Sequence, residues 1–150
     1  MRPGSVLTSV DVEPEYQRLA RSAFLAAGFP ASRYRLIGGR ALEVLPRLAD
    51  GAYDLVFCDA DRQEYPEYLT AALRLLRPGG VVAFDGALPA ARPAGQRPAG
   101  AARDSDDRDP GDAPEAAATA QLREQVKADD QLVPLLLPIG SGLLAAVKRG

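Results

Sequence analysis

Four carboxylates and one guanidinium carry most of the chemistry available to this sequence. Asp11 closes the run SVD, Asp59 and Asp61 close FCDAD just ahead of Arg62, and Asp85 closes VVAFD. Each acid stands where a run of strand-forming residues gives out. Asp is common at such places for a bland reason, because its side chain hydrogen-bonds the backbone two residues on. Along one edge of a parallel sheet, however, the same acids would face a single crevice, the place where open α/β sheets bind ligands. A carboxylate ending a strand of a dinucleotide-type fold accepts both hydroxyls of a ribose, the role open to Asp11. Asp59 and Asp85 on neighbouring strands could share a hard divalent cation such as Mg²⁺, though two acids alone hold it loosely.

Composition removes other chemistries. The 150 residues contain no histidine, which excludes Ser-His-Asp and Cys-His nucleophiles and His-ligated zinc. Cys58 is the only cysteine, so no internal disulfide forms and a reducing compartment is expected. A net charge of −2 provides no basic footprint, and neither nucleic acid nor an anionic membrane is expected as a partner. The opening MRPGSVLTSV lacks a signal-peptide core, and no run approaches the ~20 apolar residues of a membrane span. A soluble, cytoplasmic protein acting on a small molecule is the expectation.

The elements that must position these groups alternate between strand and helix. Residues 5–12 and 33–38 read as strands, with a helix between them from Glu13 to Gly28. In that helix Tyr16, Leu19, Ala20, Ala23, Phe24 and Ala27 recur on one face. A short helix over 40–48, with Leu42, Leu45 and Leu48 inward, precedes a third strand over 53–59. Pro66 to Leu76 is a helix stopped by Arg77-Pro78-Gly79-Gly80, and residues 81–85 form the fourth strand. Short links between alternating elements predict a mostly parallel sheet covered on both faces. Residues 87–115 are rich in Pro, Ala, Gly and Asp without apolar period, which predicts a flexible loop. A helix resumes over 116–128 on Ala118, Leu122 and Val126. The closing LVPLLLPIGSGLLAAVKR reads as an antiparallel hairpin. Its GSG is no phosphate loop, because it precedes a strand rather than a helix.

Five blocks carry a resemblance. LTSVDVEPEYQRLAR, RLIGGRALEVLPRL, YDLVFCDADRQEYPEYL, LRPGGVVAFD and LLPIGSGLLAAVKR resemble, in order, those of the S-adenosylmethionine-dependent O-methyltransferases of the caffeoyl-CoA/catechol type, bacterial members most of all. The resemblance covers nearly the whole chain except residues 87–115. It implies a single methyltransferase domain with a Rossmann-like class I sheet. It further implies that Asp11 binds the cofactor ribose and that Gly39, Arg40 and Ala41 line the adenine. Asp59 and Asp85 match metal-ligand positions, with Asp59 also beside the cofactor, and Asp61 lies near a phenolic or catechol-like acceptor.

Three departures from the family pattern bear on function. The family's metal motif reads Asp-Asn, whereas Asp85 is followed by Gly86, which has no side-chain oxygen. Weak metal binding or none is therefore expected. The family's usual Lys after Asp-x-Asp is Arg62, which stays protonated and cannot act as a base but can steady an anionic oxygen. Finally, the family's first strand and Gly-rich turn, which hold the methionine end of the cofactor, would lie upstream of residue 1. A partial domain with its first strand missing is thus expected, with apolar edges that favour a homodimer. A non-catalytic protein that binds a nucleoside or a partner is the alternative. A nicotinamide-dependent dehydrogenase would suit Asp11 but needs a downstream Tyr-Lys or His that the sequence does not supply.

Overall fold

The computed structural model of the protein describes residues 4–88 and 112–150. The backbone divides into two compact units, Met1–Leu48 and Ala49–Gly150.

In the first unit, strands β1 (Leu7–Asp11) and β2 (Tyr34–Gly38) pair in parallel, with Leu7 opposite Tyr34 and Asp11 opposite Gly38. Helix α1 (Pro14–Ala26) joins them, opening with Pro14 at its first turn, where a missing N–H costs nothing. Its expected inward face is only partly used. Ala20 and Phe24 are half-buried and Phe24 stacks on Tyr34 at 4.7 Å, but Tyr16 and Leu19 are exposed, each at 61%. Two strands offer roughly one ~4.8 Å spacing of width, so only one row of the helix finds a partner there. The short helix predicted over 40–48 is confined to α2 (Ala41–Val44), followed by a 3₁₀ turn over Leu45–Arg47. Pro46 cannot donate to an α-helical ladder. Val44, rather than Leu42, Leu45 or Leu48, becomes the buried residue.

The second unit is a four-stranded sheet in the order β3-β4-β6-β5. Strand β3 (Tyr53–Cys58) runs parallel to β4 (Leu76–Asp85), through the crossover helix α3 (Tyr65–Leu75). Strands β5 (Leu132–Leu137) and β6 (Leu143–Lys148) form the predicted hairpin, with β6 antiparallel to β4. Helix α3 stops one residue earlier than predicted, and Leu76 is extended. Pro78 pushes Arg77 out of helical conformation, and the ladder skips from Tyr53–Leu76 to Leu55–Val81 with Gly79 at φ 76°. The Lys148 ammonium donates to the Leu73 and Leu76 carbonyls at 2.8 and 3.0 Å, which satisfies the helix's last acceptors.

The core of this unit lies between one sheet face and the helices α3 and α4 (Asp112–Ala128). Tyr65, Leu75, Val82, Phe84, Leu122 and Val126 are almost fully buried, each contributing about 1.5–3 kcal/mol. Ala118, Leu122 and Val126 turn inward as their spacing predicts. The loop expected over 87–115 falls mostly outside the described residues. At its ends, Ala87 is buried against the hairpin and residues 112–115 already belong to α4.

Candidate functional site

Asp11 ends β1 beside the turn that follows β2. Its Oδ1 accepts the Glu13 N–H at 2.8 Å, and its carbonyl accepts both the Gly39 N–H at 3.1 Å and the Gln17 side-chain amide at 2.9 Å. Gly39 has φ 139°, a conformation that L side chains rarely adopt, so the turn here needs glycine. Ala41 opens α2 behind the extended Arg40. The first unit thus brings Asp11, Gly39, Arg40 and Ala41 to the carboxyl ends of two parallel strands.

In the second unit Asp59, Asp61 and Asp85 follow or end β3 and β4. Asp59 is exposed and has no hydrogen-bond partner among the described residues. The Asp61 carboxylate accepts the Gln63 N–H at 3.0 Å and caps the 3₁₀ turn Arg62–Glu64. Both Asp11 and Asp61 therefore perform the turn role that strand-end aspartates commonly have, with one oxygen each engaged. The Asp85 carboxylate accepts the Ser141 hydroxyl at 3.3 and 3.4 Å.

Arg62 connects this strand end to α4. Its guanidinium lies 3.7 Å from the Glu115 carboxylate and against the Tyr65 phenol. It also covers Gly86, where a Cβ would collide with Nη2, Cζ and Nε of Arg62. Tyr65 ties the two strand ends together, its hydroxyl donating to the Asp85 carbonyl at 2.8 Å. Burial pushes the Tyr65 phenol up to about 12, against the opposing pull of Arg62, and burial likewise pushes the Cys58 thiol up to about 12. Cys58 is accordingly a packed thiol and no nucleophile.

Sequence reasoning passed over Tyr65, Glu115 and Ser141. The GSG turn was a signal of a different kind: Gly142 packs against Leu88, and the Ser141 and Gly142 carbonyls accept from Leu88 and Ala87. It docks the segment after β4. A groove of about 370 Å³ between α3 and α4 is lined by Leu69, Thr70, Leu73, Gln125, Ala128 and Asp129 and includes none of the candidate residues.

The donor set does not fit a three-ligand metal centre. Gly86 offers no side-chain oxygen, and among the described residues no group of three His, Cys, Asp or Glu side chains could hold an ion. No described helix is long and apolar enough to cross a membrane.

A family model for O-methyltransferases matches residues 2–149. The chain belongs to the O-methyltransferase family. A protein of Mycobacterium tuberculosis named "Probable O-methyltransferase" is 47% identical over 148 residues, covering 99% of this chain and 60% of its own length. A Mycobacterium avium protein named for the same activity is 48% identical, with 61% of its length covered. The chain thus spans about three-fifths of the curated O-methyltransferases it matches. Among solved structures, a Corynebacterium glutamicum protein superposes with a TM-score of 0.79 at 30% identity, covering 97% of this chain and 61% of that one. The O-methyltransferase TomG of Streptomyces achromogenes, solved with S-adenosylmethionine, gives 0.78 at 27% identity, with 100% and 65% covered. The α/β class expected from the strand–helix alternation, and the Rossmann-like form implied by the resemblance, are those of these family structures.

Proposed function

We propose that the chain acts in an S-adenosylmethionine-dependent O-methyltransferase whose acceptor is a small phenolic or catechol-like molecule, with both units parts of one methyltransferase domain. The observation that carries the cofactor reading is Asp11 at the carboxyl end of a parallel strand, beside the Gly39 turn. Its Oδ1 bond to the Glu13 N–H fixes the carboxylate's direction. A ribose diol donates to such an acceptor, and Gly39 lets the adenine approach the backbone. S-adenosylmethionine, when bound, supplies a methyl group on sulfonium sulfur, which keeps the electron pair of the broken carbon–sulfur bond. The protein's own part is to orient: Asp11 holds the ribose, and Arg62 steadies the acceptor oxygen as an anion. Asp59 and Asp61, just ahead of Arg62 in the chain, would accept from a hydroxyl of the methyl acceptor. Since the reaction joins a cation to an anionic oxygen, most of the rate derives from alignment.

Calorimetric titration with S-adenosylhomocysteine tests the assignment. Asp11→Ala is expected to weaken binding at least tenfold, because a charge-assisted hydrogen bond contributes about 1.5–3 kcal/mol and a decade is about 1.4. Equal affinity in the two proteins would leave Asp11 with its turn role alone. Nucleoside binding without methyl transfer in any catechol assay would favour the non-catalytic alternative.

A further inference from the structure

The end of β4 holds a cation of its own where the family resemblance implied a third metal ligand. We infer that the Arg62 guanidinium takes the place of a divalent metal in this site and receives the acceptor's anionic oxygen directly. The inference rests on the proposed methyl transfer and specifies how its acceptor end is held.

Gly86 has φ 67° and no side chain, and the volume its Cβ would need is filled by the guanidinium of Arg62. The missing ligand and the present cation are thus one structural fact: the residue that lost its oxygen donor is the residue against which the arginine packs. The guanidinium is also held in place. Glu115 faces it at 3.7 Å, and the buried Tyr65 ring, anchored through its hydroxyl to the Asp85 carbonyl, backs it. Asp85, one acid of the expected metal pair, has its carboxylate directed to the Ser141 hydroxyl. A divalent ion here would meet like charge from Arg62 and find Asp85 already engaged. A fixed guanidinium needs no metal, and its planar fork matches an aryl oxyanion through two N–H donors. The side chain keeps 39% of its surface exposed, so the fork is accessible to a ligand. The acceptor class that fits is a phenol acidic enough to bind ionised.

Two titrations on the whole chain test this, with Mn²⁺ followed by electron paramagnetic resonance and 4-nitrocatechol followed by the absorbance of its anion. The wild-type protein is expected to bind no Mn²⁺ saturably at micromolar concentration and to bind the nitrocatechol anion equally with and without EDTA. Arg62→Gln should weaken the anion about tenfold or more, and Arg62→Lys, which keeps charge but loses the fork, should fall between. Circular dichroism melts confirm that each variant folds. Micromolar Mn²⁺ binding that Asp85→Asn abolishes would overturn the inference. So would equal anion affinity in Arg62→Gln, or no anion binding by the wild-type protein. S-adenosylhomocysteine titrated on the same samples separates the two readings: failure of cofactor binding sinks the methyltransferase role and leaves the metal result standing.

Discussion

At Gly86 two costs of a side chain superimpose. An L residue at φ 67° is strained by about 1–2 kcal/mol, and its Cβ must displace the Arg62 guanidinium. Gly86→Ala should therefore lower stability to urea by about 1–3 kcal/mol. In Arg62→Ala/Gly86→Ala the collision is gone while the strain persists, so the double variant should lose less than the sum of the singles. Strict additivity would mean that the arginine simply swings aside. The absence of a side-chain oxygen at 86 was legible in the sequence, because glycine has no side chain. The cation covering it was not, because the reach of Arg62 depends on a 3₁₀ turn that brings residue 62 under residue 86. Asp11 and Asp61 show the converse limit. Strand-end acids were easy to find, but their hydrogen bonds to Glu13 and Gln63 serve turn geometry as readily as ligand binding.

Among the elements, the β3–α3–β4 crossover carries three buried acids whose protons report its integrity: Cys58, Tyr65 and Tyr68, the last pushed up by burial and by the Glu64 carboxylate that accepts its hydroxyl. Cys58 and Tyr65 are each pushed up to about 12, mainly by burial, from 9.0 and 10.0. Below about pH 9 native and unfolded chains hold all three protons and the stabilisation is whole. Between about 9 and 12 the unfolded chain releases the thiol and then the phenol protons while the native state keeps them, so stability falls as pH rises. Urea denaturation from pH 8 upward should show this decline, and Cys58→Ala should remove the part that begins near pH 9. Because Cys58 is the sole thiol, its labelling by a maleimide should be slow in the native protein and fast in urea. Rapid native labelling would mean that β3 opens readily. Helix α4 was legible from its buried Ala118, Leu122 and Val126, a spacing of four that stacks along one helix face. The start of β4 was not, since Arg-Pro-Gly-Gly marks a helix stop without saying whether the chain turns or pairs again. The face of α1 was misjudged because periodicity identifies an apolar stripe, not the width of surface available to receive it.

For the whole molecule, sheet register exposes a consequence that no single strand shows. Leu55, Val81, Val147 and Val133 lie side by side across the four strands, and Phe57, Ala83, Ala145 and Leu135 form the next row. Of these, Leu55, Phe57, Val133, Leu135 and Val147 are exposed. A contiguous apolar band of this kind favours association, so sedimentation should show weight-average mass rising with concentration. Phe57→Lys/Leu135→Lys should suppress that rise without loss of fold, and a concentration-independent monomer in the wild type would refute it. The alternating strands and helices predicted a sheet covered on both faces; the exposure of this one among the described residues depends on what packs there. The strand order also sets a schedule. β6 lies between β4 and β5, so its residues 143–148 supply partners to both neighbours. During synthesis β3, α3 and β4 can assemble as they emerge, yet β4 must wait with an open hydrogen-bonding edge until Lys148 has cleared the ribosome. Throughout that interval the nascent chain offers a free strand template, the state in which chaperones or a second nascent copy would find it.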